Sequence, residues 1–274
     1  MTERITKDTQ LCMSLSARPS NIGTRFHNYL YRELGLDYVY KAFTTSDITA
    51  AIGGVRALGI RGCAISMPWK EEVIPLVDQM TESAAAIESV NTIVNDDGRL
   101  VAYNTDYLAI RNLLASHGVS PSDDFAVLGS GGMAKAAVAA LTDAGFTHGH
   151  VVARNSQSGP ALAAKYGHRW ADSLGDLRPA LILNATPIGM AGGPQADEVP
   201  VPPAAVEAAR TVFDVVAFPA ETPLIRLARE LDRRVITGAE VIALQAAEQF
   251  VLYTGVRPSD EQVARASAYS RETP

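Results

Sequence analysis

Lys70, in Ser66-Met67-Pro68-Trp69-Lys70, and Asp106, in Asn104-Thr105-Asp106, are the residues of this sequence best suited to move a proton. An alcohol that loses a hydride must lose its hydroxyl proton as well, so an amine that can take the proton and a carboxylate that steadies the amine's charge are what the reaction needs. Further along, Val127-Leu128-Gly129-Ser130-Gly131-Gly132-Met133-Ala134 reads as a strand, a glycine turn and a helix start. Gly129 makes the bend, and Gly131 and Gly132 let backbone N–H groups approach phosphate oxygens. Ser130 and Met133 complete the loop, and Ala134 keeps the helix close to the sheet. A proton-handling pair followed by a phosphate cradle points to hydride transfer between a nicotinamide cofactor and an alcohol or ketone. The competing readings are a surface ion pair and a purely structural turn.

Pro68 suits the first position of a helix, which would put Lys70 in that helix's first turn. The helix dipole and burial in a cleft would both disfavour the ammonium there, and Asp106 would oppose them. In the reducing direction a protonated lysine would give the proton to the forming alkoxide.

After the next strand, Val151-Val152-Ala153-Arg154-Asn155-Ser156 places a cation where an NAD site usually has Asp or Glu. A guanidinium suits a 2′-phosphate, with Asn155 and Ser156 as further donors, so NADP is the expected cofactor and NAD the alternative. Arg154 as a plain surface charge is the other reading. In Asn184-Ala185-Thr186-Pro187-Ile188-Gly189-Met190, Asn184 and Thr186 offer polar groups to a cofactor, and Met190 either packs on the nicotinamide or fills the core. Gly238 marks either a close backbone approach near the nicotinamide or the break before a helix.

The elements that must position these residues alternate strand and helix, an α/β pattern with mostly parallel sheets. Strands are expected at 10–15, 38–43, 62–67, 91–95, 100–103, 125–128, 150–153, 181–184, 212–216 and 234–236. Helices are expected at 24–34, 48–58, from Pro68, at 107–116, 134–144, 223–231 and from Glu240 onward. Asp47 closes a good cap cluster, and Asp96-Asp97-Gly98 is a hairpin signal. The polar stretch Ser120–Asp124 reads as a hinge, and Gly192–Pro203 as a loop. There is no internal repeat.

The chain has 274 residues, 47% of them hydrophobic and 20% charged, which fits a globular protein of one large or two ordinary domains. A net charge of −6 argues against nucleic acid as a partner. No long apolar run argues for a membrane span, and Met1–Asp8 lacks the apolar stretch of a secretory signal. Cys12 and Cys63 sit in apolar runs and read as buried reduced thiols; a disulfide is unneeded at this length. The five histidines have no metal-ligand spacing, so no metal is expected.

Several stretches stand together in the order, and at nearly the spacing, of one known family. They are Ser14-Leu15-Ser16, 66–70, Val90-Asn91-Thr92, 104–106, 129–134, 184–190, 213–224 and 238–245. Along nearly its whole length the chain resembles the shikimate dehydrogenases. The resemblance implies an α/β enzyme of two domains. One is an N-terminal α/β substrate domain (1–106 plus 238–274), the other a Rossmann-type doubly wound nucleotide-binding domain (107–237), with a cleft between them. It implies an NADP-dependent oxidoreductase of the chorismate pathway in aromatic amino acid biosynthesis, cytoplasmic, interconverting shikimate and 3-dehydroshikimate. Lys70 and Asp106 would be the catalytic pair. Ser14 and Ser16 would bind the substrate carboxylate. Ser66, where the family usually has threonine, would also bind the substrate, and Asn91, Asp106 and Gln245 would bind its ring hydroxyls with Lys70. Gly129, Ser130, Gly131, Gly132, Met133, Ala134, Arg154, Asn155, Thr186 and Gly238 would hold the cofactor. The partner is a small cyclic hydroxy acid. The oligomeric state stays open, a homodimer being one option.

The departures from the family pattern cluster at the substrate end. Residues 17–26 form an insertion that brings Arg18, Ser20, Asn21 and Arg25 near the carboxylate pocket, to bind an acid, to enlarge the pocket, or as a longer exposed loop. Ala217 replaces a usual tyrosine, Glu88-Ser89 a usual Gly-Ala, Val241 a common methionine, and Gly159 a second basic residue. This pattern resembles the shikimate-dehydrogenase-like branch. It opens two alternatives: a quinate/shikimate-type dehydrogenase with a different preferred substrate, or a non-catalytic sensor of NADP(H) or a shikimate-like acid. A folate-linked dehydrogenase on the same fold is a third, against which the Ser14-x-Ser16 and Asn104–Asp106 motifs count.

Overall fold

The computed structural model describes residues 5–272. Met1–Arg4 and Thr273–Pro274, which the expected domain ranges include and part of which carries the signal-peptide reading, lie outside the described residues. The chain forms two compact units, one of residues up to Thr105 and from Ala243 onward, the other Asp106–Ile242.

The first unit carries β1 (Gln10–Leu15), α1 (Asn21–Glu33), β2 (Tyr38–Phe43), α2 (Ile48–Ala57), β3 (Gly62–Ile65), β4 (Gln79–Met80), α3 (Glu82–Ile87), β5 (Thr92–Asp96) and β6 (Arg99–Tyr103). Its six-stranded sheet has the order β2-β1-β3-β5-β6-β4. β1 runs parallel to β2 and β3, whereas β5 is antiparallel to both β3 and β6. The β5–β6 hairpin forms where the sequence signals it: Asp96 pairs with Arg99, and Asp97 and Gly98 both take positive φ, as a tight two-residue turn requires.

Strand alternation builds two cores on this sheet. Met13, Leu15, Cys63, Ile65, Ile93 and Leu100 pack on one face with α2 and α3 residues. Cys12 and Val94 face the other side, against Phe26, Leu30 and Tyr31 of α1 and Phe250 and Tyr253 near the chain end. Gly62 is required here, since a Cβ would lie 2.3 Å from the Tyr253 ring. Both cysteines are free and buried, and burial pushes the Cys12 thiol up to about 12.

The second unit begins in α4 (Thr105–Ser116) and continues through β7 (Phe125–Leu128), α5 (Gly132–Asp143), β8 (Gly149–Val152), α6 (Ser158–Lys165), β9 (Arg169–Ala171), β10 (Leu181–Asn184), α7 (Pro203–Ala208), β11 (Thr211–Asp214), α8 (Pro223–Glu230) and β12 (Arg234–Thr237). α9 (Gly238–Thr254) leads back to the first unit, which α10 (Asp260–Arg271) completes. The second sheet is wholly parallel, with the order β12-β11-β10-β7-β8-β9. This is the Rossmann-type doubly wound order, whose switch point lies between β7 and β10. Every residue of β7 is buried, as expected for a strand covered on both faces.

Three expectations change. No α-helix follows Pro68: residues 68–73 make turns, and a short 3-10 helix spans Ile74–Leu76. Pro68 and Pro75 leave too short a run between them for helix propagation to offset nucleation. Lys70 therefore lies in a turn and not in the first turn of a helix. Residues 21–26 are not a loop, because α1 starts at Asn21, so only 17–20 of the insertion is irregular. The stretch Ser120–Asp124 is not a unit boundary. Asp123 pairs with Arg210, and the Asp124 carboxylate accepts the Ala180 N–H at 2.9 Å, which ties the stretch into the second unit. The boundaries fall after Thr105 and after Ile242, inside α4 and α9. Among the described residues no helix is long and apolar enough to cross a membrane.

Candidate functional site

In the first unit the polar residues singled out by the sequence collect at one end of the sheet. β1 and β3 are parallel, so Ser14, Ser16 and Ser66 lie at or just past their C-terminal ends. Backbone bonds hold these ends together. Ser66 N–H donates to Leu15 at 2.9 Å, Ser16 N–H to Phe43 at 3.2 Å, and Ile65 N–H to Asn91 at 2.8 Å. Lys70 is carried on the same framework, because its carbonyl accepts the Val90 N–H at 2.9 Å.

Asn91 is almost fully buried, and its Oδ1 accepts the Thr105 backbone N–H and the Thr92 hydroxyl, both at 2.8 Å. Its Nδ2 donates to Thr105 Oγ1 at 3.0 Å, and Thr105 Oγ1 lies 3.3 Å from Gln245 Oε1. Ser14, Ser16, Ser66, Lys70, Asn91 and Gln245 thus belong to one unit. Asp106 follows in the first turn of α4, as the first residue of the second unit.

The second unit holds a cavity of about 660 Å³ at its switch point, lined by Gly129, Ser130, Gly131, Arg154, Asn155 and Thr186 among others. Gly129 has a φ of +109°, and its Cβ would meet the Ala185 carbonyl at 3.1 Å, so the bend needs glycine. A Cβ on Gly131 would meet nothing within 4 Å, which leaves open space before the N-terminus of α5. Gly132 and Met133 are half-buried and Ala134 is fully buried. Ser130 Oγ lies 2.8 Å from Ser158 Oγ, and Asn155 Oδ1 accepts the Gln157 and Ser158 N–H groups. An open glycine cradle, a helix N-terminus and one guanidinium suit a phosphorylated dinucleotide.

A family model for the shikimate dehydrogenase substrate binding domain matches residues 20–93. A shikimate dehydrogenase-like protein of Haemophilus influenzae is 55% identical over 267 residues, covering 97% of this chain and 98% of that protein. The chain belongs to the shikimate dehydrogenase family. The shikimate dehydrogenase (NADP(+)) of Pyrococcus abyssi is 34% identical, covering 88% of this chain and 90% of its own. The structure of the Thermus thermophilus shikimate dehydrogenase, in complex with NADP(H) and shikimate, matches with a TM-score of 0.87 and 28% identity over 95% of this chain and 99% of that one.

Within the family frame, several candidates take other places. Asn184 is fully buried and committed to structure. Its Nδ2 donates to Asp214 at 3.0 Å, and its Oδ1 accepts the Thr186 hydroxyl at 2.6 Å. Met190 is 41% exposed, which removes the core reading. Gly238 makes a close backbone approach, since a Cβ would lie 2.3 Å from the Val216 carbonyl oxygen, and it opens α9. Arg25 lies in α1 rather than in a loop. Its Nε and Nη2 both donate to the Tyr269 carbonyl, at 3.0 and 2.8 Å, and its guanidinium lies 4.2 Å from the Tyr269 ring centre. The Asn28 amide pairs with the Tyr40 backbone at both its donor and acceptor, and so clamps α1 to β2. Thr92, Thr105 and Gln249 were missed as site residues; Thr92 and Thr105 lie inside quoted motifs, and only burial singles out Gln249. Among the described residues no His, Cys, Asp and Glu cluster could hold a metal ion.

Proposed function

We propose that the chain is an NADP-linked oxidoreductase interconverting shikimate and 3-dehydroshikimate or a closely related cyclic hydroxy acid, with Lys70 and Asp106 as the proton-transfer pair. The observation that carries this reading is the gathering of Ser14, Ser16, Ser66 and Asn91 at one end of the first sheet, on the framework that holds Lys70. When bound, the oxidised nicotinamide supplies the hydride acceptor. Lys70 Nζ takes the hydroxyl proton as the carbinol C–H electrons leave, and the C–O bond becomes a carbonyl. In the reverse direction the ammonium returns that proton to the alkoxide. Asp106 holds the lysine charge. Ser14 and Ser16 donate hydroxyls to the carboxylate, and Ser66, Asn91 and Gln245 hold the ring. Gly129, Ser130, Gly131, Gly132, Met133, Ala134, Asn155, Thr186 and Gly238 form the cofactor cradle, with Arg154 on the 2′-phosphate. The setting this reading implies is the chorismate pathway in the cytoplasm.

Ala217 favours a second reading of the substrate. It stands where the family usually has tyrosine, so a hydroxyl donor is absent and space is left. On this reading shikimate is oxidised slowly and another cyclic hydroxy acid is preferred. The deciding experiment is NADPH formation at high pH with shikimate and quinate in turn, against NADP and NAD, with Lys70→Ala as control. Turnover that vanishes in Lys70→Ala supports the reaction class. Fast, tight use of shikimate removes the second reading, and no turnover with either acid removes the first.

A further inference from the structure

Behind Asn91 lies a hydrogen-bond chain whose polarity is set by backbone groups. Gln249 is buried in α9, one helical turn beyond Gln245 and on the same face. Its side-chain nitrogen donates to the Asn91 carbonyl at 3.3 Å and to Thr92 Oγ1 at 3.0 Å. A carbonyl only accepts, so the Gln249 atom facing it is the amide nitrogen. Thr92 Oγ1 therefore accepts a hydrogen bond from Gln249 and donates its own O–H to Asn91 Oδ1, at 2.8 Å. The Thr105 backbone N–H, which only donates, fixes the same Asn91 atom as the oxygen. Two donors thus hold Asn91 Oδ1 on the protein side. Nδ2 spends one N–H on Thr105 Oγ1 and keeps the other.

We propose that Gln249 and Thr92 are positioning residues that hold the Asn91 amide with its nitrogen toward the substrate, so that this position presents a donor and never an acceptor. The inference rests on the reading of Asn91 as a ligand of the ring hydroxyls. A donor at this position selects an oxygen that can accept, and an alcohol or a carbonyl oxygen meets that need equally. Without the chain, only Thr105, through its backbone N–H and its hydroxyl 3.2 Å from Asn91 Oδ1, would oppose the flipped amide, and the flipped form would meet a substrate oxygen with a lone pair.

The test is steady-state kinetics of the full chain with shikimate and NADP for Thr92→Val, Thr92→Ser, Gln249→Leu, Asn91→Ala and the Asn91→Ala/Gln249→Leu double variant. Thermal melting and NADP affinity report that each variant is folded. Thr92→Val and Gln249→Leu are expected to raise KM for shikimate about five- to tenfold, with a smaller change in kcat. Thr92→Ser, which keeps the hydroxyl, is expected to stay near the wild type. In the Asn91→Ala background, Gln249→Leu is expected to add no further loss, because its effect runs through Asn91. An unchanged KM in folded Thr92→Val and Gln249→Leu, or losses that multiply in the double variant, would overturn the proposal. If Gln249→Leu does not fold, the same cycle with the nearly isosteric Thr92→Val decides. Wild-type protein that neither binds nor oxidises shikimate or quinate removes the substrate reading and this inference with it. Wild-type turnover with unaffected variants removes the inference alone.

Discussion

The indole of Trp170 occupies the space a side chain at position 159 would need. A Cβ on Gly159 would lie 2.5 Å from Trp170 Nε1, and that nitrogen donates to the Ala153 carbonyl at 3.1 Å. A larger side chain at position 159, such as the basic residue the family resemblance would suggest, would require the indole to move. Gly159→Ala is expected to cost about 1–3 kcal/mol through overpacking, read by urea denaturation.

The same relationship leaves Arg154 as the only cation among the residues lining the second unit's cavity, where Asp172 also stands. Arg154→Ala is expected to weaken binding of 2′,5′-ADP by about 10- to 100-fold while changing ADP affinity little, as charge-assisted hydrogen bonds to one phosphate would be lost. Calorimetry with the two nucleotides reads this without any turnover. Equal losses for both would show that Arg154 does not recognise the 2′-phosphate.

Asp214 gives stability a definite pH dependence. Burial pushes its carboxyl up to about 6 from an ordinary 3.8, against the pull of hydrogen bonds from Thr222, the Val216 N–H and Asn184. The folded state holds this proton more tightly, so the contribution is full below about pH 4 and is lost as pH rises through about 6, amounting to roughly 3 kcal/mol. His27 acts in the opposite sense. Burial pushes it down to about 3 from 6.5, so its contribution is present above about 6.5 and is lost as pH falls. Asp214→Asn is expected to gain stability at pH 7 relative to pH 4 when compared with the wild type, measured by urea midpoints across that range. An unchanged pH profile would contradict the assignment.

Arg25 separates a structural role from a substrate role for the insertion. Arg25→Ala is expected to destabilise the protein by about 1.5–3 kcal/mol, through loss of the charged bonds to the Tyr269 carbonyl, and to leave KM for shikimate unchanged. A raised KM in a protein of unchanged stability would return Arg25 to the carboxylate pocket.

Gly238→Ala brings a Cβ to 2.3 Å from the Val216 carbonyl oxygen, and backbone cannot rotate aside as a side chain can. The expected loss is at or above the upper end of about 1–3 kcal/mol, again by urea denaturation. A near-neutral change would mean that the start of α9 shifts freely.

The sequence by itself determined whatever depends on neighbours within a turn or two. Alternating strand and helix patterns, the Asp47 cap, the Asp97-Gly98 hairpin and the Gly129 bend are local chemistry, and each formed where its residues called for it. Motif order along the chain was enough to point to the family. Tertiary structure decided what depends on partners far away in sequence. Pro68 looked like a helix start, yet the run to Pro75 is turns. Arg25 read as part of an insertion beside the carboxylate pocket, and its guanidinium donates to the Tyr269 carbonyl, 244 residues on. Asn184 read as a polar group offered to a cofactor, and its amide is tied to Asp214, 30 residues on. The chain from Gln249 to Thr92 spans 157 residues and exists only because α9 packs back on the first sheet. A buried amide must find a partner on folding, but which partner it finds is set by the elements packed against it, and no local window of sequence contains them.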